Sequence, residues 1–174
     1  MSLSLSSSAS SSAAAASALE AEASRMAGLY YSDWCTGKSQ YSRHDLEAQI
    51  SQALADDCYV IVPWGDMISK QDLMGVLKFA YGRSKKGMKV TVDEFQILSQ
   101  FESSKDDTTL TLVTFQETQT EPKKSDVIRR TTALMETLRD GSIRWRHIHA
   151  TWMVPPEEES AFVRRREDSV TATC

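Results

Sequence analysis

The residues with the plainest chemical potential sit near the C-terminal end, in Asp140-Gly-Ser-Ile-Arg-Trp-Arg-His-Ile-His-Ala-Thr-Trp152. His147 and His149 are two apart, so on a strand both rings project from one face. Such a pair ligates a metal if a third ligand arrives from elsewhere, and an imidazole titrates close enough to neutral pH to serve as a general base. The remaining histidine, His44, stands at the start of a helical segment with no reason to converge, and no nucleophile or acid is placed beside the pair. The plainer reading is that both imidazoles are held by hydrogen bonds within a sheet. No metal and no cofactor is expected.

What positions this stretch is a turn and a strand. Asp140-Gly141 favours a tight hairpin, so the apolar runs on either side should pair as antiparallel neighbours. Strict alternation then puts Ile143, Trp145, His147, His149 and Thr151 on one face and Arg144, Arg146, Ile148, Ala150 and Trp152 on the other. Both faces carry bulky groups, which predicts that both are covered, one by helices and one by a second copy of the chain.

Upstream, apolar residues at helical spacing predict a first helix over 18–34 and a second over 43–54. Cys58-Tyr-Val-Ile-Val62 reads as a short strand halted by Pro63, and Ser69 with Asp72 reads as the cap of a third helix ending at Gly82. Four strands follow, over about 89–102, 108–120, 125–138 and 143–153, separated by turn-rich breaks. Residues 1–17 read as a disordered Ser/Ala-rich tail, 18–154 as one α+β domain with helices on one face of a curved sheet, and 155–174 as a charged disordered tail.

Composition removes several function classes. With 174 residues and 41% hydrophobic content there is one core, and a net charge of -4 offers no general attraction for nucleic acid or an anionic membrane. No stretch is apolar enough to span a bilayer. Cys35, Cys58 and Cys174 are odd in number and widely spaced, which leads us to expect a reducing, intracellular and cytoplasmic location; an organelle transit peptide at 1–17 stays open. Phosphate-cradling loops and dinucleotide fingerprints are missing from the sequence.

Two segments resemble the nuclear transport factor 2-like superfamily. Ala55-Asp-Asp-Cys-Tyr-Val-Ile-Val-Pro-Trp-Gly65 is similar to the segment after the second helix in SnoaL-like and ketosteroid isomerase-like members. Asp140 to Thr151 resembles the last strand of SnoaL-like proteins and of the calcium/calmodulin-dependent kinase II association domain. The resemblance implies a cone-shaped fold, three helices packed on a curved, mostly antiparallel sheet, with a cavity at its open end. It places Tyr30, Tyr31, Trp34, Trp64 and Tyr81 around that opening, with Glu94 and Arg130 as a polar pair; the plainer alternatives are core packing and a solvated cross-strand salt bridge. The ketosteroid isomerases carry their general-base Asp immediately before the Pro, where this chain has Val62, so steroid-isomerase chemistry by that route is not expected.

The expectation is therefore a SnoaL-like domain, leaning away from catalysis, that dimerises through its sheet and binds a small apolar ligand. Two alternatives stand beside it: a cofactor-independent isomerase, cyclase or dehydratase using His147 or His149 with a tyrosine, and an oligomerisation module.

Overall fold

The computed structural model describes residues 7–37, 40–84, 87–103 and 107–156. Helix α1 (Ser7–Ala27) runs directly into a π-helical segment, Gly28–Cys35. The tail expected over 1–17 is thus helical from Ser7. Alanine has the highest helix propensity of any residue, and Ala13 to Ala15 are exposed, so these three lengthen α1 without joining the core. Residues 1–6 and the charged tail from 157 lie outside the described residues.

Helix α2 (Arg43–Ala53) and helix α3 (Lys70–Ala80) begin alike, with Ser42 and Ser69 each accepting a hydrogen bond from the backbone of an Asp three residues on, at 3.1 Å. Each cap satisfies an amide that would otherwise lack a partner, and the Asp favours the positive end of the helix. Strands β1 (Leu54–Ile61), β2 (Met67–Ser69), β3 (Lys89–Ser103), β4 (Thr108–Thr120), β5 (Val127–Thr137) and β6 (Ile143–Val154) form one sheet in the order β2-β1-β6-β5-β4-β3. All neighbours are antiparallel except β1 and β6. The architecture is α+β, as expected, with the short β2 and the parallel β1–β6 contact added. Asp140-Gly141 turns the last hairpin: Gly141 has φ +82° and Asp140 accepts from the Ser142 amide at 2.9 Å.

One irregularity reassigns the faces of β6. Leu134 pairs with His147 but Met135 pairs with Trp145, so Arg146 is an extra residue, a β-bulge. A bulge inverts the alternation beyond it. Trp145, Ile148 and Ala150 consequently share the inner face, while His147 and His149 point outward, and the single-faced set predicted from strict alternation is corrected. Strand β1 is irregular at the same level, between Leu54 and Tyr59. Arg146 fills the step by a paired contact to the buried Glu136 at 3.0 Å and another to Asp57 at 2.7 Å.

The core lies between the inner sheet face and the helices, centred on Trp34, Phe115, Leu46 and Leu77, all at most 1% exposed. Trp34 also closes the end of α3. Its indole donates to the Leu77 carbonyl at 2.7 Å, while its own carbonyl accepts from Gly37 and Gly82 at 3.1 and 3.0 Å. The last carbonyls of a helix have no partners within it, and here another helix supplies one. Gly37 sits at φ +62°, where a Cβ would meet the Gly82 Cα at 3.0 Å, so the two chain ends approach too closely for a side chain.

Replacing Trp34 with Phe strands the Leu77 carbonyl and thins the core, and should cost about 1–3 kcal/mol in urea unfolding. A change within error of zero would show that this lock contributes nothing to stability.

Candidate functional site

The inner sheet face and the helices enclose a cavity of about 200 Å³. Its walls are mainly apolar, including Met26, Ile50, Val60, Leu73, Leu77 and Ile148, and its rim includes Val62, Pro63 and Trp64. Trp64 is 60% exposed, anchored by its indole to Asp66 at 2.9 Å. Trp145 lines the wall beside β5, and its indole donates to Glu22 of α1 at 3.2 Å. The π-helical winding, wider than an α-helix, brings the consecutive Tyr30 and Tyr31 to the cavity together, their rings edge-to-face at 4.5 Å.

Polar groups are confined to one wall. Arg129 of β5 is opposite Glu117 of β4 in the antiparallel register, and the two form an ion pair in which the side chains are only 11% and 13% exposed. The same guanidinium donates to the Tyr31 hydroxyl and lies over the Tyr31 and Trp152 rings, at 4.8 and 5.5 Å from their centres. Gln119, with its amide turned so that the oxygen faces Arg129, gives a further acceptor at 2.7 Å. Burial works against the Arg129 charge, but the Tyr31 oxygen and Glu117 outweigh it and push its pKa above the ordinary value. Burial pushes both Tyr31 and Tyr30 well above the usual phenol range, Arg129 acting in the opposite sense on each, so both stay protonated at neutral pH. Thr131, two residues along β5, also lines the cavity. It is 1% exposed, and no described residue hydrogen-bonds its hydroxyl.

The residues singled out by sequence divide clearly. Tyr30, Tyr31 and Trp64 line the cavity. Trp34 and Tyr81 do not: their rings stack edge-to-face at 5.0 Å in the core beneath Arg43, because Trp34 is committed to capping α3. Glu94 and Arg130 do pair, but on the outer face, where they are 56% and 32% exposed. Alternation along β5 turns Arg130 outward and Arg129 inward, so the polar pair in the cavity is Glu117–Arg129, its arginine one residue from the one expected and its acid on β4 instead of β3. Period-two counting from the buried Ala133 and Met135 would have found Arg129.

His147 and His149 are on the outer face as well, with ring centres 6.4 Å apart. His147 lies against Tyr59, ring centres 4.5 Å apart and planes tilted by 45°, with its Nδ1 3.3 Å from the Tyr59 carbonyl. Neither ring reaches the cavity. Val62 does line it, at the position where the ketosteroid isomerases carry their base.

Truncating Arg129 to Met leaves Glu117 buried without its partner and should destabilise the fold by about 3–5 kcal/mol. The double replacement Arg129→Met with Glu117→Leu should recover much of that loss in a thermal or urea melt. Additive losses would show that the two side chains are not coupled.

No family model matches the chain, and no curated protein matches it. Solved structures do match. A nuclear transport factor 2-like protein of unknown function from Pseudomonas aeruginosa is 20% identical, covering 79% of this chain and 98% of its own, with a TM-score of 0.64. Another of unknown function, from Pseudomonas putida, is 14% identical, covering 78% and 87%, with a TM-score of 0.51. Among the described residues no helix is long and apolar enough to cross a membrane. Identities this low speak to architecture alone, and the architecture is that of the nuclear transport factor 2-like fold.

Proposed function

We propose that the protein is a binding domain that holds one small, mainly apolar ligand in its cavity and works as a homodimer paired through the outer face of the sheet. The observation that carries the ligand reading is the cavity: about 200 Å³, walled by apolar side chains with polar groups on one side only. An apolar cavity of about 150 Å³ is large enough to take up benzene, so this one suits a single substituted ring.

Binding without turnover is favoured by what the lining residues are. The position that would supply a base in a ketosteroid isomerase is Val62, the imidazoles of His147 and His149 lie on the far side of the sheet, and Glu117 is held in an ion pair. An isomerase, cyclase or dehydratase built on those histidines would need a ring in the cavity.

The dimer reading rests on the outer sheet face. Leu112 and Leu134 face each other across β4 and β5, and towards the two edges Tyr59 and Phe101 are 42% and 57% exposed. Covering such a surface recovers roughly 25 cal/mol per square ångström of apolar area.

Isopropylbenzene should raise the melting temperature in a saturable way, and Ala150→Leu, which grows into the cavity, should remove the effect. A melting temperature indifferent to isopropylbenzene and to other single-ring compounds of its size would overturn the ligand reading. Light scattering at micromolar concentration should give the mass of a dimer, and Leu112→Arg that of a monomer; a wild-type monomer would overturn the dimer reading.

A further inference from the structure

Resting on the ligand reading above, we infer that the cavity is specific for a neutral ring-sized molecule bearing one carbonyl or hydroxyl oxygen, which the Thr131 hydroxyl recognises, and that it excludes carboxylates. Two independent observations support this. The first is Thr131 itself, which lines the cavity, is 1% exposed and has a hydroxyl with no hydrogen-bonding partner among the described residues. Burying a hydroxyl without a partner is costly, and buried polar side chains nearly always have one. A ligand oxygen supplies the missing bond, because a hydroxyl both donates to a carbonyl and exchanges hydrogen bonds with another hydroxyl.

The second observation is the state of Arg129, the only cation among the described residues that line the cavity. Arg129 is already paired with Glu117 and donates to Tyr31. The pair is neutral as a unit, so an entering carboxylate would lose its water and meet Glu117 as well as Arg129. Its desolvation is not compensated, whereas a carbonyl or alcohol carries no such penalty. The Tyr31 oxygen accepts from Arg129, which leaves its proton directed elsewhere, and burial keeps that proton in place. The polar wall thus presents neutral hydrogen-bonding groups beside a compensated charge.

Three probes with the same ring and the same number of substituent heavy atoms separate these elements: isopropylbenzene, acetophenone and benzoate. Their dissociation constants would be measured calorimetrically with the full-length protein and with Thr131→Val and Thr131→Ser. Thr131→Val should weaken acetophenone by about tenfold, the equivalent of one net hydrogen bond, and leave isopropylbenzene within about twofold. Thr131→Ser keeps the hydroxyl and should retain most of the acetophenone affinity. Benzoate should not bind at concentrations that saturate with acetophenone.

The ligand-free protein gives a separate readout. Removing an unpartnered hydroxyl in favour of a methyl should leave the melting temperature of Thr131→Val equal to or above that of the wild type. A fall would mean that the hydroxyl is used by the fold, and would sink the proposal. So would acetophenone binding that is indifferent to Thr131→Val, or benzoate binding as well as acetophenone. In those cases isopropylbenzene would still bind and the ligand reading would survive. If none of the three probes binds, that reading falls and this inference with it.

Discussion

The bulge at Arg146 is the constraint on which the inner and outer surfaces of this protein depend. A sheet that is apolar on one side needs every strand in phase, and β6 changes phase between Trp145 and His147, with a further shift only at its end, between Trp152 and Val154. The change is stabilised where it occurs. Arg146 makes two bonds to Glu136, which is 6% exposed, and one to Asp57, supplied by the irregular part of β1. Lys70, at the start of α3, ties the same part of β1 from another direction, donating to the Leu54 carbonyl at 2.8 Å and to Asp56 at 3.0 Å. Two strands that are parallel neighbours therefore step together, and Trp145, Ile148 and Ala150 all reach the cavity.

The same phase logic places charge. Arg129 and Arg130 are consecutive, yet one is sealed against Glu117 inside the cone and the other reaches Glu94 outside it. The inner pair costs desolvation of two ions, offset by mutual attraction, the Tyr31 oxygen and two aromatic faces. The outer pair remains in contact with water, where such bridges contribute little. Electrostatics thus distinguishes the two sides of the sheet: compensated charge in a small apolar cavity, and solvated charge around an apolar outer face.

Helix packing completes the cavity from above. The π-helical segment serves the cavity through Tyr30 and Tyr31 and the core through Trp34 and Cys35, all within six residues. Trp34 couples this segment to α3 through one indole hydrogen bond, and the Gly37–Gly82 approach holds the two ends together. Leu73 and Leu77 of α3 line the same cavity as the two tyrosines, so this coupling joins two of its walls.

Much of the fold was legible in the chain itself. The helix cap at Ser69, the Asp140-Gly141 turn and the turn-rich breaks between the four long strands are local signals, each expressed within a few residues, and together they announced helices on a meander. The segments around Pro63 and Asp140 also resembled the fold that the solved structures share. Within the site, Tyr30, Tyr31 and Trp64 could be read from their nearness to the elements around the opening, but Trp34 and Tyr81 could not be told apart from them, because an aromatic on a helix looks the same whether it fills a core or faces a void. The choice of Arg129 over Arg130 was within reach of period-two counting along β5, but the orientation of His147 and His149 depended on where β6 bulged. Sequence alone determined which elements exist and in what order. Only the tertiary structure decided which face each side chain took, because the bulge is held by Glu136 and Asp57, partners 10 and 89 residues from Arg146, and no local pattern encodes a contact of that range.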